Sequence, residues 1–117
     1  MSACNRAEPA GDQWRVGGLY STEDDKGQFS VVKILVLEPE IVHLRIYKQK
    51  FSSRPMTVDP GSLTVGMLGD AEFSIPHLPL SRKRFASWKP TFISQQSVQA
   101  SELEGYRLWK TANGGVF

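Results

Sequence analysis

Between Gln28 and Phe51 the chain reads QFSVVKILVLEPEIVHLRIYKQKF, two long runs of β-branched and aliphatic residues separated by Glu38-Pro39-Glu40. This pattern predicts a β-hairpin. The first arm, Phe29 to Leu37, is apolar almost throughout, with Lys33 its only charge, as expected of a central strand covered on both faces. The second arm alternates, because side chains along a strand repeat with period two. Val42, Leu44 and Ile46 fall on one side and read as core; Ile41, His43, Arg45 and Tyr47 fall on the other. That second side sets an imidazole, a guanidinium and a phenol in a row. Either the row faces outward as a partner surface, or it turns toward the C-terminal segment, where Glu102 or Glu104 is the natural mate for Arg45. The reading taken is outward exposure.

Weaker signals surround the hairpin. Trp14 to Tyr20 (WRVGGLY) reads as a first strand, with a bulge or close backbone approach at Gly17-Gly18. Ser21 to Gly27 is a charged turn, Asp59-Pro60-Gly61 a second turn, and Ser62 to Leu68 a further short strand. About four or five antiparallel strands are therefore expected between Trp14 and Leu68. Pro76 and Pro79 exclude Phe73 to Leu80 from a central position, so that stretch should lie extended across the body, pressing Ile75, Leu78 and Leu80 inward. Ser81 is placed to cap a helix with Phe85 and Trp88 on one side and Pro90 as its stop, and Thr91 to Ile93 can add an edge strand. Ser101 and Glu104 suggest a capping box for a second helix, with Leu103, Tyr106 and Trp109 inward and Asn113-Gly114-Gly115 at its end. Val116 and Phe117 are expected to dock. Strands first and helices last predict an α+β fold, a small curled antiparallel sheet with two short C-terminal helices packed on it.

At 117 residues the chain suits one domain. The expected division is a polar, disordered tail over 1–12 and a single domain over 13–117, the sheet in 13–69 and the extended segment and helices in 70–117. Its charged share of 22% argues against a disordered chain. No apolar run is long enough to cross a bilayer and no basic-then-apolar leader opens the chain, so a cytoplasmic protein without a membrane partner is expected. The single cysteine, Cys4, fits that compartment.

A net charge of +2 hides two basic clusters. Arg45, Lys48, Lys50 and Arg54 form one, and Arg82, Lys83, Arg84 and Lys89 the other, neither containing an acid. The near-neutral balance favours solvated surface cations; if the clusters met on one surface they would attract an acidic partner.

The strand Val16-Gly17-Gly18-Leu19-Tyr20, its acidic turn, the aromatic-led strand from Phe29 and the tyrosine-ended strand Val42 to Tyr47 together resemble the small SH3-like or Tudor-like barrels. The resemblance covers about half of the chain. It implies an SH3-like barrel as the form of the sheet, and a module that binds peptides, modified side chains or nucleic acids. It also sets Tyr20, Phe29 and Tyr47 at places corresponding to an aromatic cage. The C-terminal stretches PHLPLS, ELEGYRLW and GGVF resemble a small bacterial protein family, a resemblance that attaches no activity.

Catalysis finds little footing. Nucleophilic chemistry needs a nucleophile, a base in reach and an orienting partner, and the only histidines are His43 and His77. No serine sits in a nucleophile elbow, two distant histidines and one cysteine close no metal ligand set, and Gly17-Gly18 lacks the spacing of a phosphate loop. The acids Glu23, Asp24 and Asp25 lack the alternation of a calcium loop and read as a solvated hairpin tip. No cofactor is expected. His43 reads as a partner in a cross-strand hydrogen bond, and His77 as a pin for the extended segment. These residues therefore predict a non-enzymatic binding module for a protein or peptide, an acidic one suiting the cations, with His43, Arg45, Tyr47, Lys48 and Lys50 as the partner surface. The alternatives are a single-stranded nucleic-acid-binding small barrel and an enzyme using His43. Basic residues interleaved with aromatics suit the former, but the acidic turn would repel a phosphate backbone.

Overall fold

The computed structural model describes residues 14–66 and 74–117. The tail, Cys4 and the stretch from Met67 to Phe73 lie outside the described residues. Within them the fold is α+β: a five-stranded sheet carries short helical segments on both faces. The strands are β1 (Gly18–Glu23), β2 (Phe29–Leu37), β3 (Ile41–Phe51), β4 (Ile75–Ser81) and β5 (Thr91–Gln95), and the helices α1 (Arg82–Ser87) and α2 (Glu104–Thr111). The spatial order is β4-β3-β2-β1-β5, every neighbour antiparallel.

The predicted hairpin forms as β2 and β3. Glu38 and Ile41 close it by exchanging N–H···O=C bonds of 2.9 and 3.3 Å around Pro39-Glu40. The expectation of four or five strands before Leu68 is not met: three of the five come from that half, and β4 and β5 supply both edges. The predicted strand from Ser62 is replaced, over its described part, by a 3-10 turn and a clasp. Asp59 accepts from the Gly61 N–H at 3.0 Å to build the turn Pro60–Ser62. Gln49 Oε1 then accepts from the Thr64 N–H (3.0 Å) and Gln49 Nε2 donates to the Thr64 hydroxyl (2.8 Å), while Thr64 O accepts from the Lys48 N–H at 2.9 Å. The edge strands do not pair with one another, so the sheet stays open and does not close into a barrel.

Two cores follow from the alternation. Tyr20, Val32, Ile34, Val42, Leu44, Ile46 and Leu80 cover one face beneath Trp14 and Phe85 of α1, whose rings meet edge-on at 4.6 Å. Ser81 caps α1, its hydroxyl accepting from the Arg84 N–H at 3.1 Å, which sets Phe85 over that core. Leu19, Val31, Tyr47 and Leu63 form the smaller cluster on the opposite face. Tyr20 and Tyr47 therefore point to opposite sides, and the three aromatics do not converge on one cage.

Gly17 adopts φ +85°, and a Cβ there would collide with the Gln96 carbonyl. Close backbone approach explains this glycine: Gly17 N–H donates to Ile34 O at 2.7 Å and Gly17 O accepts from Gln96 N–H at 2.9 Å. The β1–β5 register shifts beside it, between Leu19 and Tyr20.

The second helix begins differently from expectation. Glu102, not Glu104, turns back to a capping position, accepting from the Gln99 N–H at 2.8 Å, and a 3-10 turn over Ala100–Leu103 precedes α2. At the other end Asn113 takes φ 54°, with Asn113 N–H on Lys110 O (3.3 Å) and Gly114 N–H on Trp109 O (2.9 Å), the Schellman pattern. Phe117 docks through its backbone, exchanging hydrogen bonds of 2.9 Å with Ser81 N–H and Pro79 O along β4, while the residue as a whole stays 67% exposed.

Candidate functional site

The His43–Arg45–Tyr47 row does lie on one face of β3, opposite Val42, Leu44 and Ile46, but it is covered rather than open. His43 is fully buried, Tyr47 is buried, and Arg45 keeps 21% of its side chain exposed. The cover is the C-terminal segment. This corrects the expected outward exposure, and the reason lies in the cover: α2 lays the Tyr106 and Trp109 rings against His43, and the turn before it brings Glu102 to 4.0 Å from Arg45.

At one end of the row two histidines meet across β3 and β4. His43 Nδ1 lies 2.9 Å from His77 Nε2, and the rings stack at 9°. His43 Nε2 lies 2.8 Å from Glu38 Oε1, whose other oxygen accepts the Tyr106 hydroxyl at 3.0 Å. An ionised carboxylate only accepts, so the proton on this side belongs to His43 Nε2. The hydrogen bond from His43, helped by Tyr106, holds the Glu38 carboxyl below its ordinary range. Burial, with the His43 ring beside it, pushes His77 down to about 4. Tyr106 and Trp109 roof the pair, meeting the His43 ring edge-on at 4.7 and 4.6 Å. Both nitrogens of His43 are thus engaged within the protein. The expected cross-strand role of His43 and the pinning role of His77 are the same hydrogen bond.

Further along the row is a polar cleft of about 310 Å³, lined by Lys33, Arg45, Tyr47, Gln96, Gln99 and Glu102 over a floor that includes Leu19 and Leu63. Lys33, buried, spends its ammonium on Ser97 O (2.6 Å) and on the two Glu102 oxygens (3.0 and 3.2 Å). Burial alone would raise the Glu102 carboxyl, but the Gln99 N–H, Lys33 and Arg45 outweigh it and hold it low. Arg45 is left over. Its Nε stands 4.0 Å from Glu102 Oε2, too far for a hydrogen bond, and is shut off from solvent with no partner among the described residues. Burial, with Glu102 nearby, pushes the Tyr47 phenol up to about 12, so its hydroxyl keeps its proton and can donate. Two cations therefore face one carboxylate, and the spare guanidinium borders an open cleft beside a phenol. That arrangement can accept an anion.

The other candidates disperse. Lys50 donates to Ser30 Oγ at 3.0 Å and lines a hollow of about 740 Å³ on the opposite face, with Val32, Ile46, Trp88, Glu23 and Asp24. Lys48 meets Thr64 through its backbone N–H, at 2.9 Å. Arg54 binds Ser21 Oγ (2.7 Å), Thr91 Oγ1 (2.9 Å) and the Lys89 carbonyl (3.2 Å), tying β1 to the start of β5. The first basic cluster is consequently not one surface. The larger hollow mixes acids with lysines at its rim and leaves no buried donor without a partner among the described residues.

Sequence reasoning left out Lys33, Glu38, Gln96 and Gln99. Lys33 carried a signal, as the lone charge in an apolar arm. Gln96 and Gln99 carried none, since nothing local marks a glutamine that chain reversal brings to a cleft. No group of three or more metal-ligating side chains occurs among the described residues, and no described helix is long and apolar enough to cross a membrane. Compared with protein-family models, curated proteins and solved structures, the chain matches none of them.

Proposed function

We propose that this protein is a non-enzymatic binding module whose protein or peptide partner presents a carboxylate to the Arg45–Tyr47 cleft. The observation that carries this reading is the Arg45 guanidinium, whose Nε is enclosed with no hydrogen-bond partner among the described residues while the side chain keeps 21% of its surface exposed and lines the cleft. An arriving acceptor meets that exposed edge, where a hydrogen bond to a charged donor contributes about 1.5–3 kcal/mol. Guanidinium suits a carboxylate through its planar fork, and the Tyr47 hydroxyl adds a donor at the same place.

The test is a titration of isotope-labelled protein with sodium acetate, matched in ionic strength by sodium chloride and followed by NMR. Acetate should produce saturable shifts at Arg45, Tyr47, Gln96 and Gln99 that chloride does not, and Arg45→Met should weaken binding about 10- to 100-fold, the worth of a charge-assisted hydrogen bond. Acetate shifts equal to those of chloride, or undiminished in the variant, would remove the reading.

A further inference from the structure

The two helices cover the sheet to different depths. α1 sinks Phe85 completely, whereas no residue of α2 is buried. α2 lies between two anchors. Before it, Glu102 is held by Lys33 at 3.0 Å; after it, Phe117 bonds to Pro79 and Ser81 of β4. Between those anchors it grips the sheet through the Tyr106 hydroxyl on Glu38 and through the Tyr106 and Trp109 rings over the histidine pair. The Trp109 indole N–H turns back to Gly115 O at 2.9 Å, within the same segment. An element with so little buried is among the first to open locally.

What α2 covers is a hydrogen-bond chain with one end left over. The ionised Glu38 takes the proton of His43 Nε2, so His43 Nδ1 is the bare nitrogen and accepts from His77 Nε2–H. His77 Nδ1 is then the atom left to titrate. It faces α2: a Cβ on Gly105 would stand 3.6 Å from it. No hydrogen bond reaches it among the described residues. A proton arriving there creates an N–H without an acceptor, on a cation beneath two aromatic rings. Such a group is costly under the helix and hydrated once the helix lifts.

The charges around the pair stand elsewhere. Glu38, from the β2–β3 turn, meets the far nitrogen of His43. Tyr106 of α2 is turned to Glu38, and Lys110 lies 3.4 Å from the Tyr106 hydroxyl. Glu104 and Arg107 of α2 are exposed, Arg107 donating to Ala100 O at 3.3 Å, and β4 brings no titratable side chain besides His77.

We infer that α2 is an acid-released cover: a proton on His77 lifts residues 104–115 from the histidine pair, while the sheet, α1 and the Lys33–Glu102 anchor stay in place. Lifting opens His43, His77 and Glu38 to water together. The device is separate from the carboxylate reading, because the Arg45 cleft lies on the anchored side.

Hydrogen exchange followed by NMR on the whole chain tests this, each rate being corrected for the intrinsic pH dependence of amides. Between pH 7 and 5 the protection of Leu108 to Thr111 should fall at least about tenfold further than that of Val32 to Leu35 in β2. The physical basis is linkage: each pH unit below the ordinary 6.5 of a freed His77 shifts the closing equilibrium by about tenfold. His77→Gln keeps a donor for His43 Nδ1 and does not titrate, so it should abolish the extra fall. Equal losses in helix and strand, or an undiminished fall in the variant, would overturn the inference. The imidazole nitrogen signals of the unaltered protein decide it without any variant. His77 should gain its proton on Nδ1 over the range in which α2 loses protection, and a helix that opens while His77 stays neutral overturns the inference as well.

Discussion

Gly105 lies against His77, and a Cβ on Gly105 would stand 2.6 Å from the His77 Cβ. This contact lets α2 settle deeply enough for Tyr106 and Trp109 to roof the histidine pair. Two effects compete in Gly105→Ala. Alanine favours a helix over glycine by about 0.5–1 kcal/mol, whereas overpacking costs about 1–3 kcal/mol. Because Cβ meets Cβ, with no flexible end to yield, overpacking should win. Urea unfolding should show a net loss of stability, and a gain would mean that α2 is not seated on His77 as described.

Acid should loosen the protein through the same pair. His77 ordinarily titrates at 6.5 and in the fold at about 4. A depressed histidine binds fewer protons folded than unfolded, so its contribution is fully present above 6.5 and is lost as pH falls toward about 4. Glu38 and Glu102, both held low, lose theirs beginning below the ordinary carboxylate range. The unfolding midpoint should therefore already decline between pH 6.5 and 5, and His77→Gln should flatten that part of the profile. A profile unchanged by the substitution would exclude His77 as the source.

The Lys33–Glu102 pair should be asymmetric. Glu102→Gln leaves a buried ammonium and a spare guanidinium uncompensated, and should cost about 3–5 kcal/mol. Lys33→Met removes the ammonium while leaving Arg45 at 4.0 Å to serve Glu102, so its cost should be smaller. Denaturant unfolding of the two variants gives the order; a reversed order would mean that Arg45 cannot take over.

Ile34, fully buried beneath α1, sets the scale of the main core. Ile34→Ala should cost about 2–5 kcal/mol through lost transfer energy and a cavity. Met56, 80% exposed, should tolerate alanine within about 0.5 kcal/mol. Equal losses at both would contradict the burial.

By itself the sequence determined what depends on neighbours along the chain. Period-two alternation placed His43, Arg45 and Tyr47 on one side of β3 and Val42, Leu44 and Ile46 on the other; Pro76 and Pro79 kept β4 at an edge; Ser81 capped α1, and Asn113 with Gly114 ended α2. These are local steric and hydrogen-bonding rules, written in adjacent residues. Tertiary structure alone decided which element covers the row. An alternating strand exposes or buries its polar side according to what packs there, and no local rule ranks Glu102 over Glu104 as the mate of Arg45, or brings His77 to His43 from 34 positions away. Only the closed chain could bring Gln96 and Gln99 to the cleft and set β5 beside β1 at the end of the described strand order, because strand order is set by long-range pairing, to which a residue's own neighbours contribute almost nothing.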